Sequence, residues 1–374
     1  MKRIARISIV GFVNYGCILQ NYALERVLSR YGCVDTLFDN INEYIDKRYH
    51  IEWNIKQAIK FIINRYDLRR FALGKKRLFD AAKAVRSKLF CDKYMNIRYD
   101  VNFSAIDSEY DYFVVGSDQV WNPGLPQRKD IFRKRQVSNI KYLKFADPSK
   151  RIAYAASIAQ PDIPPALRDS FCKSINEMAH IAVRENEGAE LIKKYAGRDV
   201  DVVLDPTMLL TSAEWSEIEN KPHWLSCDDR YVLTYFLGER IDDVVKKVAA
   251  KRNLQIVNLM DLDNFEQYIT SPEEWIYLIH HAELIYTDSF HGTVFSILFK
   301  RPFVVCDRIG KGIYSRMNSR IITLLSMFNL NNRHGTSANN YEINCPYDIE
   351  YGDIDAVLTV KRQEAIAYLD TAIK

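Results

Sequence analysis

The stretch from Tyr286 to Ile297, Tyr-Thr-Asp-Ser-Phe-His-Gly-Thr-Val-Phe-Ser-Ile, ends an apolar strand, turns at Gly292 and opens a helix with His291 at the junction. The first N–H groups of a helix lack intrahelical partners and carry partial positive charge, so Ser289, Gly292 and Thr293 sit where a phosphate or carboxylate can be held. The imidazole beside them is the side chain best suited to moving a proton near neutral pH. Chemistry on a phosphorylated substrate is the expectation.

Other strand ends carry reactive side chains. Asn14-Tyr-Gly-Cys-Ile-Leu-Gln follows the first strand and opens a helix, which puts Asn14, Tyr15, Gly16 and Gln20 at the carboxyl end of a parallel sheet, where open α/β sheets bind ligands. Its glycines, Gly11 and Gly16, lack the spacing of a dinucleotide fingerprint. Farther on, a buried strand ends at Gly116, and Ser117, Asp118, Gln119 and Asn122 cluster beyond it. Either Asp118 caps a helix, or the cluster grips sugar hydroxyls and takes a proton, with glycine admitting the ligand. Arg184 follows the strand Ile181–Val183 and either pairs with Glu185 or Glu187 or offers a planar fork to an anion. Lys311, Arg316 and Arg320 follow the last strand, the two arginines a helical turn apart. His280 and His281 lie on the preceding helix pattern; their spacing implies no metal cluster, and both are expected to be structural.

The elements that position these groups alternate. Strands are expected at Ile4–Val10, Val34–Phe38, Asp111–Val115, Arg151–Ser157, Ile181–Val183 and Val200–Leu204, then at Tyr231–Phe236, Gln255–Leu259, Leu284–Thr287 and Phe303–Val305. Helical patterns separate them, the signature of α/β units with parallel sheets. The polar, Pro-containing segment Lys221–Asp229 places a boundary near residue 225. The organisation expected is therefore a Rossmann-like first domain over 1–225, a second over 226–350, and a C-terminal helix over 351–374 with apolar spacing at Ile354, Val357, Leu358, Ala365, Ile366 and Leu369. Asn331–Tyr347 reads as loop.

Composition narrows the classes. At 374 residues and 48% apolar content the chain supports two cores. With 52 basic and 48 acidic residues, its net charge of +4 gives no signal for nucleic acid. The seven cysteines are an odd number without a C-x-x-C pair, so a disulfide framework and a zinc site are both unexpected, and a reducing cytoplasm fits best. No run approaches the roughly 18–20 apolar residues of a membrane span. A basic amphipathic pattern over Ile55–Arg70, continuing into Lys75-Lys-Arg, leaves open peripheral contact with an anionic membrane, at the inner face of the plasma membrane, against the plainer reading of a solvated basic face.

Taken in order, Asn14-Tyr-Gly with Leu19-Gln, Val115-Gly-Ser-Asp-Gln-Val-Trp, Ala153-Tyr-Ala-Ala-Ser, Val183-Arg-Glu, Asp205-Pro-Thr and Thr287-Asp-Ser-Phe-His-Gly resemble the polysaccharide pyruvyl transferase family over about residues 7 to 330. The resemblance implies a GT-B-like fold, two Rossmann-like domains facing a cleft with a C-terminal helix packed back on the first. It implies transfer of a pyruvyl group from phosphoenolpyruvate to two hydroxyls of a sugar, with no cofactor and no metal; lipid attachment of that acceptor stays open. His291 falls on the family's catalytic histidine, Arg184 on a donor-binding arginine and Asp118 on an acidic residue of the active site. Many members read Arg-Leu-His-Gly where this chain has Ser289-Phe-His-Gly, so donor charge is expected from Arg184, Lys311, Arg316 and Arg320. On the acceptor side the expected contacts are Asn14, Tyr15, Gly16, Gln20, Ser117, Gln119 and Asn122. The alternatives are a GT-B glycosyltransferase with a nucleotide-sugar donor and a non-catalytic saccharide-binding protein.

Overall fold

The computed structural model describes residues 1–9, 11–38, 68–99, 101–124, 138–308 and 319–374. The first half contains strands β1 (Lys2–Ile7), β2 (Gly32–Leu37), β3 (Ile97–Arg98), β4 (Tyr112–Val115), β5 (Arg151–Ala156), β6 (His180–Val183) and β7 (Asp201–Val202). Helices α1 (Tyr15–Leu28), α2 (Leu68–Tyr94), α3 (Arg168–Asn176), α4 (Asn186–Ala196) and α5 (Ser212–Ser216) accompany them. The second half contains β8 (Tyr231–Tyr235), β9 (Gln255–Asn258), β10 (Leu284–Thr287), β11 (Phe303–Cys306) and β12 (His334–Gly335), with α6 (Asp242–Ala250), α7 (Phe265–Tyr268), α8 (Pro272–His281), α9 (Phe290–Leu298) and α10 (Ser319–Met327). Helix α11 (Ile354–Ala372) closes the chain.

Among the described residues the strands form two parallel sheets, ordered β3-β2-β1-β4-β5-β6-β7 and β12-β11-β10-β8-β9. Phe113, Val114 and Val115 of β4, and all of β8, β10 and β11, are buried, as strands covered by helices on both faces require. Strand order reverses between β1 and β4 in the first sheet and between β8 and β10 in the second. Crevices at the carboxyl ends of such strands are where open α/β sheets take ligands. The expected boundary near residue 225 falls between β7 and β8.

The expectations need correction at sheet edges. β1 is read from Ile4 but pairs from Lys2, in register with Gly32, and ends at Ile7. β3 and β12 were not anticipated; each is two residues long and owes its extended shape to the strand beside it. Asn331–Tyr347, read as loop, contains β12 and is tied down by Arg333, whose buried guanidinium donates to the carbonyls of Phe303, Pro346 and Asp348. Of the basic amphipathic pattern, residues 55–67 lie outside the described residues. The Lys75-Lys part is ion-paired, Lys75 with Asp263 and Lys76 with Asp80. No helix among the described residues is long and apolar enough to cross a membrane.

One core cluster runs through both sheets. Tyr15 at the start of α1 stacks on Trp275 of α8 at 5.4 Å and donates to the Thr270 carbonyl at 2.6 Å; Trp215 of α5 meets Phe295 of α9 at 4.8 Å. Aromatic pairs of this kind contribute about 0.5–1.5 kcal/mol beyond their buried area. Helix α11 reaches back to the first half: Arg362 donates to the carbonyls of Met208 and Leu210, and Tyr368 to that of Ala153.

Lys83 of α2 is buried in the same interface, its ammonium 4.0 Å from the centroid of the Tyr15 ring. Burial lowers its pKa from 10.5 to about 7, with Asp80 pulling the other way and Lys76 reinforcing the shift. Between those two values the unfolded chain binds a proton that the folded one lacks, so stability rises with pH across that window and the cost is full below it. Lys83→Met is expected to stabilise the protein at pH 7, by an amount that shrinks as pH approaches 10.5. Denaturant midpoints across this range measure it; a variant less stable at pH 7 would mean that the tyrosine rings fully compensate the ammonium.

Candidate active site

The two switch points face each other. Asn14 starts α1 by accepting from the Gly16 N–H at 3.0 Å, so its amide is a helix cap. Gly16 lies against His291 of α9: a Cβ there would stand 2.0 Å from Nδ1, so only glycine admits the imidazole. The amino ends of α1 and α9 thus converge from opposite halves of the molecule. Gln20, fully buried, accepts from the Ser117 N–H at 2.9 Å and donates to the Ser8 hydroxyl and the Cys17 carbonyl. Asn21 joins the buried Arg6 to this network.

The turn after β4 is equally constrained. Gly116 has φ +139, and a Cβ would stand 1.9 Å from the Tyr154 carbonyl, so β4 and β5 could not approach with any side chain there. Ser117 donates to the Ala155 carbonyl at 2.9 Å and to Asp205 Oδ2 at 3.1 Å. Asp118, at φ 57, accepts from the Cys17 thiol at 2.9 Å and faces Arg184 at 3.4 Å and Arg320 at 3.7 Å. Gln119 and Asn122 hydrogen-bond each other, and Asn122 also accepts from the Gly124 N–H.

Asp205 is the hub. It starts a 3₁₀ turn by accepting from the Thr207 N–H and hydroxyl, receives Arg184 Nη1 at 2.6 Å and lies 3.6 Å from His291 Nε2. Burial would raise its pKa; His291, Arg184 and Thr207 outweigh burial and hold the carboxyl well below the usual range. Asp118 behaves likewise, with Arg184, His291 and Arg320 overcoming burial. The arginines differ. Burial opposes the charge of Arg184, but Asp205 and Asp118 raise its pKa. Arg320 is lowered to about 10 by burial and by repulsion from Arg184, which Asp118 only partly offsets.

Three buried nitrogens here, Arg184 Nε, Arg320 Nε and His291 Nε2, have no hydrogen-bond partner among the described residues. Arg184, Asp205, Phe290 and Arg320 line a narrow hollow, with Leu204, Met208, Leu324 and Met327 as its apolar wall. The Phe290 ring lies 4.4 Å from the Arg184 guanidinium carbon and 5.8 Å from that of Arg320. A second narrow hollow, beyond the Gln119–Asn122 turn, is lined by Trp121, Tyr142, Ile163 and Phe171 and has no charged group among its lining residues. Of these two, the first carries the cationic donors.

Of the residues singled out in the sequence, His291, Asp118, Arg184 and Arg320 meet in one buried cluster, with Ser117 and Gly16 at its edge. Ser289 caps α9, accepting from the Gly292 N–H, while Thr293 donates to the Ser289 carbonyl. Gly292 packs on Thr287, where a Cβ would stand 2.7 Å from Oγ1. Tyr15 sits in the interface core and Gln20 beneath the Ser117 turn. Lys311 and Arg316 lie outside the described residues. Arg184 pairs with neither Glu185 nor Glu187, and the Glu185 carboxylate instead accepts from the Ile158 and Ala159 N–H groups. Asp205, Phe290 and Cys17 lie within the sequence motifs, but nothing in those motifs marks them as members of the site. Position alone, Asp-Pro-Thr after a predicted strand, was the available signal for Asp205.

The family model for polysaccharide pyruvyl transferase matches residues 14–309. The chain belongs to the polysaccharide pyruvyl transferase family. The match starts at the Asn14 cap and takes in Asp118, Arg184, Asp205 and His291, so four members of the cluster lie within it; Arg320 lies beyond. As a polysaccharide pyruvyl transferase family member, the protein is a transferase, with a saccharide as its class of acceptor. No curated protein matches the chain. Among solved structures, an uncharacterized protein from Klebsiella pneumoniae is 16% identical, covering 69% of this chain and 87% of its own, with TM-score 0.38. UDP-GlcNAc 2-epimerase from Neisseria meningitidis is 11% identical over 97% of this chain and 100% of its own, with TM-score 0.43. MurG from Acinetobacter baumannii is 9% identical over 100% and 95%, with TM-score 0.35.

Proposed function

We propose that this transferase moves the pyruvyl group of phosphoenolpyruvate onto two hydroxyls of a sugar in a cell-surface polysaccharide or its precursor, leaving a cyclic ketal and inorganic phosphate. The observation that supports it best is the hollow in which two buried arginine Nε atoms lack hydrogen-bond partners beside an imidazole whose Nε2 has Asp205 only at 3.6 Å. Donors without partners in a buried site favour an anion, and a proton carrier beside them favours an anion that must be protonated.

In this reading Arg184 and Arg320 hold the phosphate and carboxylate of the donor, with Arg320, the less compensated of the two, contributing more. His291 gives a proton to the methylene carbon. The resulting cationic carbon is attacked by the first sugar hydroxyl, phosphate leaves, and attack by the second hydroxyl closes the ring; one hydroxyl proton returns to His291 and the other leaves on the phosphate. Asp118 orients the acceptor. Its depressed pKa makes it a weak base, so positioning suits it better than proton removal. The reading places the enzyme in the cytoplasm with its donor. Attachment of the acceptor to a lipid, and contact of the basic segment with an anionic membrane, would bring it to the inner face.

The first test is phosphate release from phosphoenolpyruvate in the presence of a crude saccharide acceptor. Binding is tested by Arg320→Met: loss of one hydrogen bond to a charged group removes about 1.5–3 kcal/mol. At about 1.4 kcal/mol per decade, phosphoenolpyruvate should bind about 10- to 100-fold more weakly in calorimetric titration, with acceptor affinity retained. Unchanged donor affinity would remove Arg320 from the site, and tighter binding of a nucleoside diphosphate than of phosphoenolpyruvate would favour a nucleotide-sugar donor.

A further inference from the structure

Between Asp205 and His291 in the chain, Glu219, in the segment between α5 and β8, meets His280 and His281 in the last turn of α8. The sequence spacing argued against convergence there, because the third member comes from a distant segment. Glu219 Oε2 lies 2.8 Å from His280 Nδ1, and Oε1 lies 3.3 Å from His281 Nε2. All three ligand atoms fall within 4.8 Å of one another.

The rings are held in place. His280 stacks on Phe299 at 4.2 Å with 14° between planes, and His281 on Tyr277 at 4.1 Å with 25°. Glu219 faces both imidazoles, one through each carboxylate oxygen, and the backbone beside it is pinned to α8 by the Asn220 N–H donating to the Glu273 carbonyl at 3.1 Å. A tetrahedron around an ion with bonds of about 2.0–2.2 Å has edges of about 3.3–3.6 Å, which the His281 separation matches and the His280 separation reaches by opening less than about 1 Å. His281 is exposed, which leaves a side open for water as a further ligand. The carboxyl end of α8 adds partial negative charge.

We propose that Glu219, His280 and His281 form a binding site for a borderline divalent cation, zinc foremost, which fastens the segment between the two sheets to α8. Two imidazole nitrogens and one carboxylate oxygen suit zinc better than magnesium or calcium, which take oxygen ligands. Both imidazoles must be neutral to bind, so acid weakens the site.

The test uses the untagged full chain with the exposed Cys33, Cys227 and Cys345 changed to serine, so that thiols do not compete. After chelator treatment it is titrated calorimetrically with zinc and its melting temperature is followed. One equivalent should bind and raise the melting temperature, and either Glu219→Gln or His281→Ala should weaken binding by at least the roughly 10- to 100-fold seen when groups supporting a metal's ligands are lost. Cobalt added to the same otherwise unaltered protein supplies a readout independent of variant folding: visible bands of a nitrogen- and oxygen-ligated ion are expected. Zinc binding equal in the parent and the folded variants, no binding at all, or a cobalt spectrum dominated by thiolate charge transfer would each overturn the proposal.

Discussion

His291→Ala should lower turnover by about 10²–10⁴-fold, the usual loss when a positioned acid–base group is removed, while leaving a folded protein. The imidazole is buried between Gly16 and Asp205, and on its removal Asp205 keeps its shorter contact with Arg184 at 2.6 Å. Phosphoenolpyruvate should still bind, because the arginines remain, so the loss should appear in kcat more than in KM. Single-turnover phosphate release, read beside a thermal melt, measures it. Near-normal turnover by the folded variant would sink the assignment.

Asp205→Asn should do more damage to the fold. Its carboxylate compensates Arg184 at 2.6 Å in a fully buried position, and removing one partner of a buried pair commonly costs about 3–5 kcal/mol because the other charge is left alone. The pH dependence has a definite sign. The folded-state pKa lies below the ordinary value of 3.8, so in the window below 3.8 the unfolded chain binds the proton first and stability falls with the pH. The contribution is therefore complete above that value, and the gap between wild type and variant should be widest near neutrality and narrow in acid. Denaturant midpoints at pH 7 and pH 3 test this. A variant as stable as wild type at pH 7 would show that Arg184 finds compensation elsewhere.

The sheets were legible where burial makes a strand continuously apolar: Leu284–Thr287 reads as a strand from its side chains alone and is one. Ile97–Arg98 and His334–Gly335 are strands because a neighbour's backbone is in reach, and nothing in two residues announces that. The site divides the same way. His291, Asp118 and Arg184 could be found because each follows a strand that ends in a turn. The centrality of Asp205, by contrast, depends on β6, β7 and α9 being brought together, which is a property of strand order. Glu219 is the extreme case, since its partners are about sixty positions away and only packing joins them. The reading of Gln20 as a ligand group illustrates the opposite hazard: a polar side chain beside a cleft can be fully committed to holding the turn that forms it.

The cluster is assembled from both sheets, and its ion pairs are unequal. Arg184 is held to Asp205 at 2.6 Å and to Asp118 at 3.4 Å within the first half, whereas the links across the divide, His291 to Asp205 and Arg320 to Asp118, measure 3.6 and 3.7 Å. All five side chains are less than a tenth exposed in this arrangement. Parting of the halves would break the two long contacts and leave the short ones intact. The first half would then keep Asp118, Arg184 and Asp205 as a prearranged set, and His291 and Arg320 would rejoin it only on closure. On the reaction proposed above, such an order would guard the donor against attack by water, because the activated carbon would form only once the hydroxyl that is to capture it is in place.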